Sequence, residues 1–181
     1  MEQFVEILKD RRSIRKYKTD EIPEEKLNEL LEAVQCTQSW HNNQCWELVL
    51  IQDQSVKEKI QKTVPSINPG FKAIVTAPII IALCGKVGVS GKIGKDFGSK
   101  FGKDWFMYDL GLATQNICNQ AHATGLGTVV VGWFDHEKAG EVINLPEGYE
   151  LVTLIPVGFP DHKGTSPERK SIEEFTHHNS F

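Results

Sequence analysis

Arg11-Arg12-Ser13-Ile14-Arg15 gathers three guanidinium groups and a hydroxyl into five residues, and one helical stretch later comes Gln38-Ser39-Trp40-His41-Asn42-Asn43-Gln44-Cys45-Trp46. The first group can chelate a phosphate. Arginine offers paired donors that match phosphate oxygens, and each charge-assisted hydrogen bond contributes roughly 1.5–3 kcal/mol when well formed. The alternative is a solvated basic turn, its charge favoured by the C-terminal dipole of a preceding helix. The second group is dense in amides and hydroxyls. Such side chains can read the hydroxyls of a sugar-alcohol chain and the edge of a heteroaromatic ring; Trp40 can stack, and Trp46 begins a strand. The alternative is an ordinary polar loop.

Outward from these clusters, helical and strand patterns alternate. Phe4, Val5 and Leu8 among alternating charges predict a short helix ending near Arg11. Pro23 suits the first turn of a second helix, which puts Leu27, Leu30, Leu31 and Val34 on one face. Trp46 to Gln52 reads as a strand. Ser55 with Glu58 has the pattern of a capping box opening a helix through Ile60. Pro78 to Cys84 reads as a buried strand. The region from Asp104 to Thr124 is the strongest helix pattern, stopped by Gly125. Thr128 to Trp133 reads as a strand, Asp135 caps a short helix to Ile143, and Glu150 to Val157 is the last strand. The strands are too few for a complete doubly wound sheet. The polar tail after Pro160 is long for a compact domain and predicts a contact outside its own core, with a partner subunit.

The 181 residues suffice for one domain with a substantial core. A net charge of -4 makes nucleic acid a poor partner. The most apolar stretch, Ala73 to Leu83, is too short for a membrane span and contains Thr76 and Pro78. Met1 to Arg12 lacks the apolar region of a signal peptide. Cys36, Cys45, Cys84 and Cys118 form no Cys-x-x-Cys pair, so metal binding is not expected and free thiols in a reducing cytoplasm are. The Gly-Lys pairs at 91–92, 94–95 and 102–103 lack the following Ser or Thr of a P-loop. His177-His178 reads as a solvated tail pair.

Taken together, the two clusters resemble the nitroreductase family. The resemblance continues through Asp109-Leu110-Gly111-Leu112-Ala113 leading into Gly125-Leu126-Gly127, Val131-Gly132-Trp133-Phe134-Asp135, Leu145-Pro146-Glu147-Gly148, and Gly158-Phe159-Pro160 with Arg169-Lys170 beyond. It covers nearly the whole chain in order. It implies an α+β fold over residues 1–181, with a central mixed or antiparallel sheet flanked by helices. It also implies an intertwined homodimer whose C-terminal tails, residues 160–181, are exchanged, and an FMN at each end of the interface.

By resemblance, Arg11, Arg12, Ser13 and Arg15 hold the phosphate and ribityl chain, and Arg169 adds a late phosphate contact. Gln38, Ser39, Trp40 and Asn42, with Gln44 in the same motif, reach the flavin of the other subunit. The backbone of Val131, Gly132 and Trp133 lies against the ring near N5, and Lys72 faces the ring edge. The implied reaction is a ping-pong cycle: NADH or NADPH passes a hydride to flavin N5, and a flat acceptor such as a nitroaromatic or quinone then takes it. No catalytic side chain is required. The rival readings are a specialised dehalogenase or enone reductase of the same family, a flavin carrier or sensor, and a colourless domain whose arginines are only surface charge.

The chain departs from the family pattern at Gln38-Ser39, where Pro-Ser is usual, and at Gln44-Cys45-Trp46, where Gln-Pro-Trp is usual. Losing both prolines predicts a looser loop. Gly132-Trp133 stands where many members have Glu-Gly, so no carboxylate is expected at the ring. His41 and Cys45 lie in the flavin loop and are candidates for proton transfer and redox chemistry. The segment Gly85 to Trp105 holds six glycines, the lysines 86, 92, 95, 100 and 103, and Phe97, Phe101 and Trp105 at four-residue spacing. It predicts a flexible connection running into a helix face. As a lid it would line a substrate pocket with His41, Phe97, Phe101 and Trp105; otherwise it is a mobile loop whose aromatics enter the core.

Overall fold

The computed structural model describes residues 2–181. Its core is a four-stranded antiparallel sheet in the order β1-β2-β6-β5, formed by β1 (Trp46–Ile51), β2 (Ile79–Lys86), β6 (Tyr149–Gly158) and the short β5 (Gly127–Thr128). The strand β2 is an unbroken apolar run because both of its faces are covered. Successive side chains point to opposite faces. Ile80, Ala82 and Cys84 therefore meet one core with α3 (Gln54–Gln61), α4 (Phe71–Thr76) and α6 (His136–Val142), whereas Ile79, Ile81 and Leu83 meet the other, with α2 (Glu24–Gln35) and α5 (Phe106–Ala123). Leu30 and Val34 of α2 are buried against α5. Gly125 takes φ +80 directly after α5, the left-handed stop expected of it.

Four expectations need correction. Asp53, not Ser55, caps α3: its carboxylate accepts from the Ser55 and Val56 backbone N–H groups. The predicted strand Thr128–Trp133 pairs only at Gly127–Thr128 and through a lone bridge at Val131. Val129 donates to the Pro156 carbonyl, but Pro156 has no N–H to return, so the ladder breaks there. The short helix α4 was not foreseen. Phe97, Phe101 and Trp105 do not share a helix. Gly94 at φ +63 begins a two-residue turn between β3 (Lys92–Ile93) and β4 (Asp96–Phe97), which places Phe97 in a hairpin. Phe101 precedes, and Trp105 ends, a 3-10 turn before α5.

The helix α1 (Glu2–Asp10) ends one residue before the arginine cluster. The chain then runs along the sheet edge, with Ile14 N–H on the Thr128 carbonyl at 2.8 Å and Ser13 bridged in parallel to Thr128. A Cβ on Gly127 would lie 2.7 Å from Ile14, so only glycine allows this approach. The buried Tyr17 hydroxyl contacts the Ile14 and Pro156 carbonyls, and Lys18 N–H reaches the Phe159 carbonyl. The basic pentapeptide is thereby fixed beside the start of the tail.

Candidate functional site

Arg11, Arg12, Ser13 and Arg15 line a cavity of about 280 Å³ whose opposite wall is the tail, through Lys163, Gly164, Thr165 and Arg169. The sequence placed Arg169 here; Lys163 and Thr165 were missed, and their only signal was proximity to it in a polar tail. A second cavity of about 490 Å³ shares Arg11, Arg12 and Lys163 and runs toward His122 and Cys118. The tail closes over Arg12, where a Cβ on Gly164 would lie 2.4 Å from the Arg12 Cβ. The Arg12 guanidinium donates to the Lys9 and Arg11 carbonyls and to Ser166 Oγ at 2.8 Å.

Among the described residues no carboxylate neutralises this group. Among the described residues the ion pair Lys138–Asp135 is the only one within 4.0 Å, so Arg11, Arg12, Arg15, Lys163 and Arg169 all lack a carboxylate partner. The Arg11 Nε is buried with no hydrogen-bond partner. Buried donors left unsatisfied are costly, and clustered cations repel. Both observations fit a phosphate monoester, which supplies the missing acceptors and the missing negative charge.

The loop after α2 is held in an unusual shape. His41, Asn42 and Gln44 all have positive φ, 47°, 56° and 47°, which is unfavourable for residues with a Cβ. Ser39 Oγ accepts from Gln44 N–H at 2.9 Å, Trp40 Nε1 donates to the Lys92 carbonyl at 2.6 Å, and Asn43 Nδ2 donates to the Val89 carbonyl at 3.0 Å. The loop expected to be loose for want of prolines is thus tied down by side-chain bonds. Trp40 packs edge-on to Trp105, with ring centroids 5.0 Å apart, and Trp105 in turn meets Phe101 and Tyr108. His41, Asn43, Lys92 and Ile93 line a further cavity of about 400 Å³. Gln38, His41, Asn42 and Gln44 are exposed, as are Phe97 and Phe101.

A third group gathers around Val131. A Cβ on Gly70 would lie 2.7 Å from Val131, and Asn68 Nδ2 donates to the Trp133 carbonyl at 3.0 Å. Lys72 is therefore exposed two residues beyond a segment packed on Val131. Gly132 and Trp133 are exposed, and their backbone N–H groups have no acceptor among the described residues. His41 and Asn43 line a different cavity from the one the arginine cluster lines.

Cys45 is no redox candidate in this setting. It is buried, and burial, then the neighbouring Asp109 carboxylate, push its thiol up to about 12. The thiolate is the reactive form. Alkylation of the folded protein at about pH 8 is expected to label the exposed Cys36 and spare Cys45; peptide mapping that finds Cys45 modified first would contradict this. The carboxylate beneath it, Asp109, escaped the sequence reading, although an acid on the apolar face of α5 between Phe106 and Leu110 was a legible signal.

The profile of the nitroreductase family matches residues 8–73 and 67–159. A Methanothermobacter thermautotrophicus protein with the provisional name NADH dehydrogenase/NAD(P)H nitroreductase is 31% identical over 180 residues, covering 94% of this chain and 87% of its own. The Bacillus subtilis FMN reductase [NAD(P)H] is 25% identical, over 100% of this chain and 75% of its own. The solved FMN-dependent nitroreductase of Clostridium difficile superposes with a TM-score of 0.80 at 24% identity, covering 98% of this chain and 99% of its own, which speaks to the fold alone. The chain belongs to the nitroreductase family and is an oxidoreductase. No described helix is long and apolar enough to cross a membrane.

Proposed function

We propose that this protein is an FMN-dependent NAD(P)H oxidoreductase acting as a homodimer. The observation that carries the reading is the cluster of Arg11, Arg12, Arg15, Lys163 and Arg169, without carboxylate partners among the described residues, around a cavity of about 280 Å³. Arg15, Lys163 and Arg169 hold the phosphate of FMN, with Ser13 and Thr165 hydroxyls as further donors. Arg12 supports them from behind while anchoring the tail. The free N–H groups of Gly132 and Trp133, with Lys72, take the polar ring edge. FMN held there would supply the redox chemistry, hydride transfer between NADH or NADPH and a flat acceptor such as a nitroaromatic or a quinone. No side chain of this chain has to act as acid or base, because water can deliver the proton.

Gln38, Ser39, Trp40, Asn42 and Gln44 serve the flavin of the partner subunit, which accounts for their separation from the arginines of their own chain. The tail supports the dimer reading. Ile172, Phe175 and Phe181 are largely exposed, the last fully, among the described residues. Phe4, Val5 and Leu8 leave an apolar stripe on α1. A partner subunit covers both. The four free cysteines fit a reducing cytoplasm.

Denaturing the purified protein should release FMN. FAD, or no flavin, would contradict the reading.

The hairpin of β3 and β4 forms a wall beside the loop, with Lys92 over the Phe97 ring and Lys100 over Phe101. Neutralising Lys92 and Lys95 is expected to raise the apparent KM for the nucleotide several-fold at low salt and little at high salt, because exposed charges are screened. Phe97→Ala or Phe101→Ala should change acceptor preference with FMN content intact. Unchanged steady-state kinetics in both sets would remove the hairpin from the site.

A further inference from the structure

Asp109 is 1% exposed, and no cation lies within 4.0 Å of it among the described residues. A buried charge is costly unless other groups compensate it. Three donors do so here, each from a different place. The Trp40 backbone N–H reaches both carboxylate oxygens at 3.3 Å, Ser90 Oγ donates to Oδ2, and the Cys45 thiol donates to Oδ2 at 3.7 Å. Phe106, Leu110 and Ala113 share the buried face of α5, so an apolar residue would suit this position if packing were all it had to do.

The carboxylate ties both the loop and the hairpin to α5, where each meets it through its own donor. Trp40 opens the strained turn that contains His41, Asn42 and Gln44. Cys45 closes that loop where it enters β1. Ser90 lies at the base of the hairpin, which also takes Trp40 Nε1 on the Lys92 carbonyl and Asn43 on the Val89 carbonyl. Strained backbone persists only where its surroundings over-determine it.

We propose that Asp109 is a positioning residue that locks the loop of 38–45 and the β3–β4 hairpin into one rigid unit on α5, setting the shape that this unit presents to the partner's flavin. The proposal rests on the functional reading above for its last step only. The lock itself belongs to this chain and can be read without cofactor. Asp109 touches neither flavin nor substrate; it acts through Trp40.

The test compares Asp109→Ala, Asp109→Asn and Ser90→Ala with the wild type in the full-length protein. Backbone amide exchange is measured without flavin, and FMN affinity by fluorescence titration at a temperature where every variant is folded. In Asp109→Ala the amides of Trp40 and Gln44 should exchange faster by at least about tenfold, while those of β2 stay at the wild-type rate. FMN should bind at least about tenfold more weakly. Asp109→Asn keeps an oxygen for Trp40 N–H and should restore most of both. A residue that merely stabilised the fold would raise exchange throughout the sheet and leave FMN affinity unchanged once folded.

Wild-type exchange at Trp40 in Asp109→Ala would overturn the lock. Faster exchange with unchanged FMN affinity would overturn the positioning role. Should Asp109→Ala fail to fold, Ser90→Ala carries the same test, since it removes one donor and leaves the carboxylate in place; wild-type values in both measurements would then overturn the proposal. Failure of the wild type to bind FMN would strike the functional reading and leave the exchange result standing.

Discussion

Replacing Arg15 and Arg169 together with alanine is expected to yield a folded protein that purifies without its yellow colour. Both side chains are exposed, and among the described residues the only hydrogen bond of the Arg15 side chain is a long one, 3.5 Å to the Ser13 carbonyl. Their removal therefore costs the fold little, within about 0.5 kcal/mol for surface positions of this kind. Losing two charge-assisted contacts of roughly 1.5–3 kcal/mol each lowers FMN affinity by about two to four orders of magnitude. Flavin absorbance per chain and a thermal melt check this directly. A double variant with full flavin content would remove the phosphate from this cavity. Arg12→Ala should also weaken flavin retention, but it cuts the bonds to the Lys9 and Arg11 carbonyls and to Ser166 as well, so its effect mixes binding with tail docking.

Truncation after Pro160 is expected to dissociate the dimer and release FMN in the same step. The deleted segment carries Lys163, Thr165 and Arg169, one wall of the arginine-lined cavity. It also carries Ile172, Phe175 and Phe181, the apolar side chains that the chain itself leaves uncovered. The sheet and both cores lie upstream and should survive, since among the described residues the tail's only backbone bond to the body is Asp161 N–H on the Lys16 carbonyl. Sedimentation and flavin content measured on one sample decide the matter. A truncated protein that remains a flavin-loaded dimer would refute tail exchange.

The elements best foreseen were those whose signal is local. The apolar run of β2, the periodic face of α5 and the glycine after it needed no partner to be read. Asp135 capping α6 was legible for the same reason. Failures came where a distant residue decides. The break after Thr128 depends on Pro156 across the sheet, and the hairpin at Gly94 overrode the four-residue aromatic spacing, because a glycine turn costs less than a helix through several glycines. At the site, Arg11 to Arg15 and Arg169 were legible because charge density is visible in one dimension. The convergence of Lys163 with them, and the partners that Asp109 finds in Trp40 and Ser90, arise only when the tail, the loop and the hairpin are folded into place.

The central claim, that the arginine cavity serves a flavin reduced by nicotinamide nucleotide, is tested most directly by anaerobic titration of the purified flavin-bound protein with NADH and with NADPH. The account predicts that at least one nucleotide bleaches the visible absorbance of the flavin, and that adding a quinone restores it. A flavin that stays oxidised under both nucleotides would contradict it.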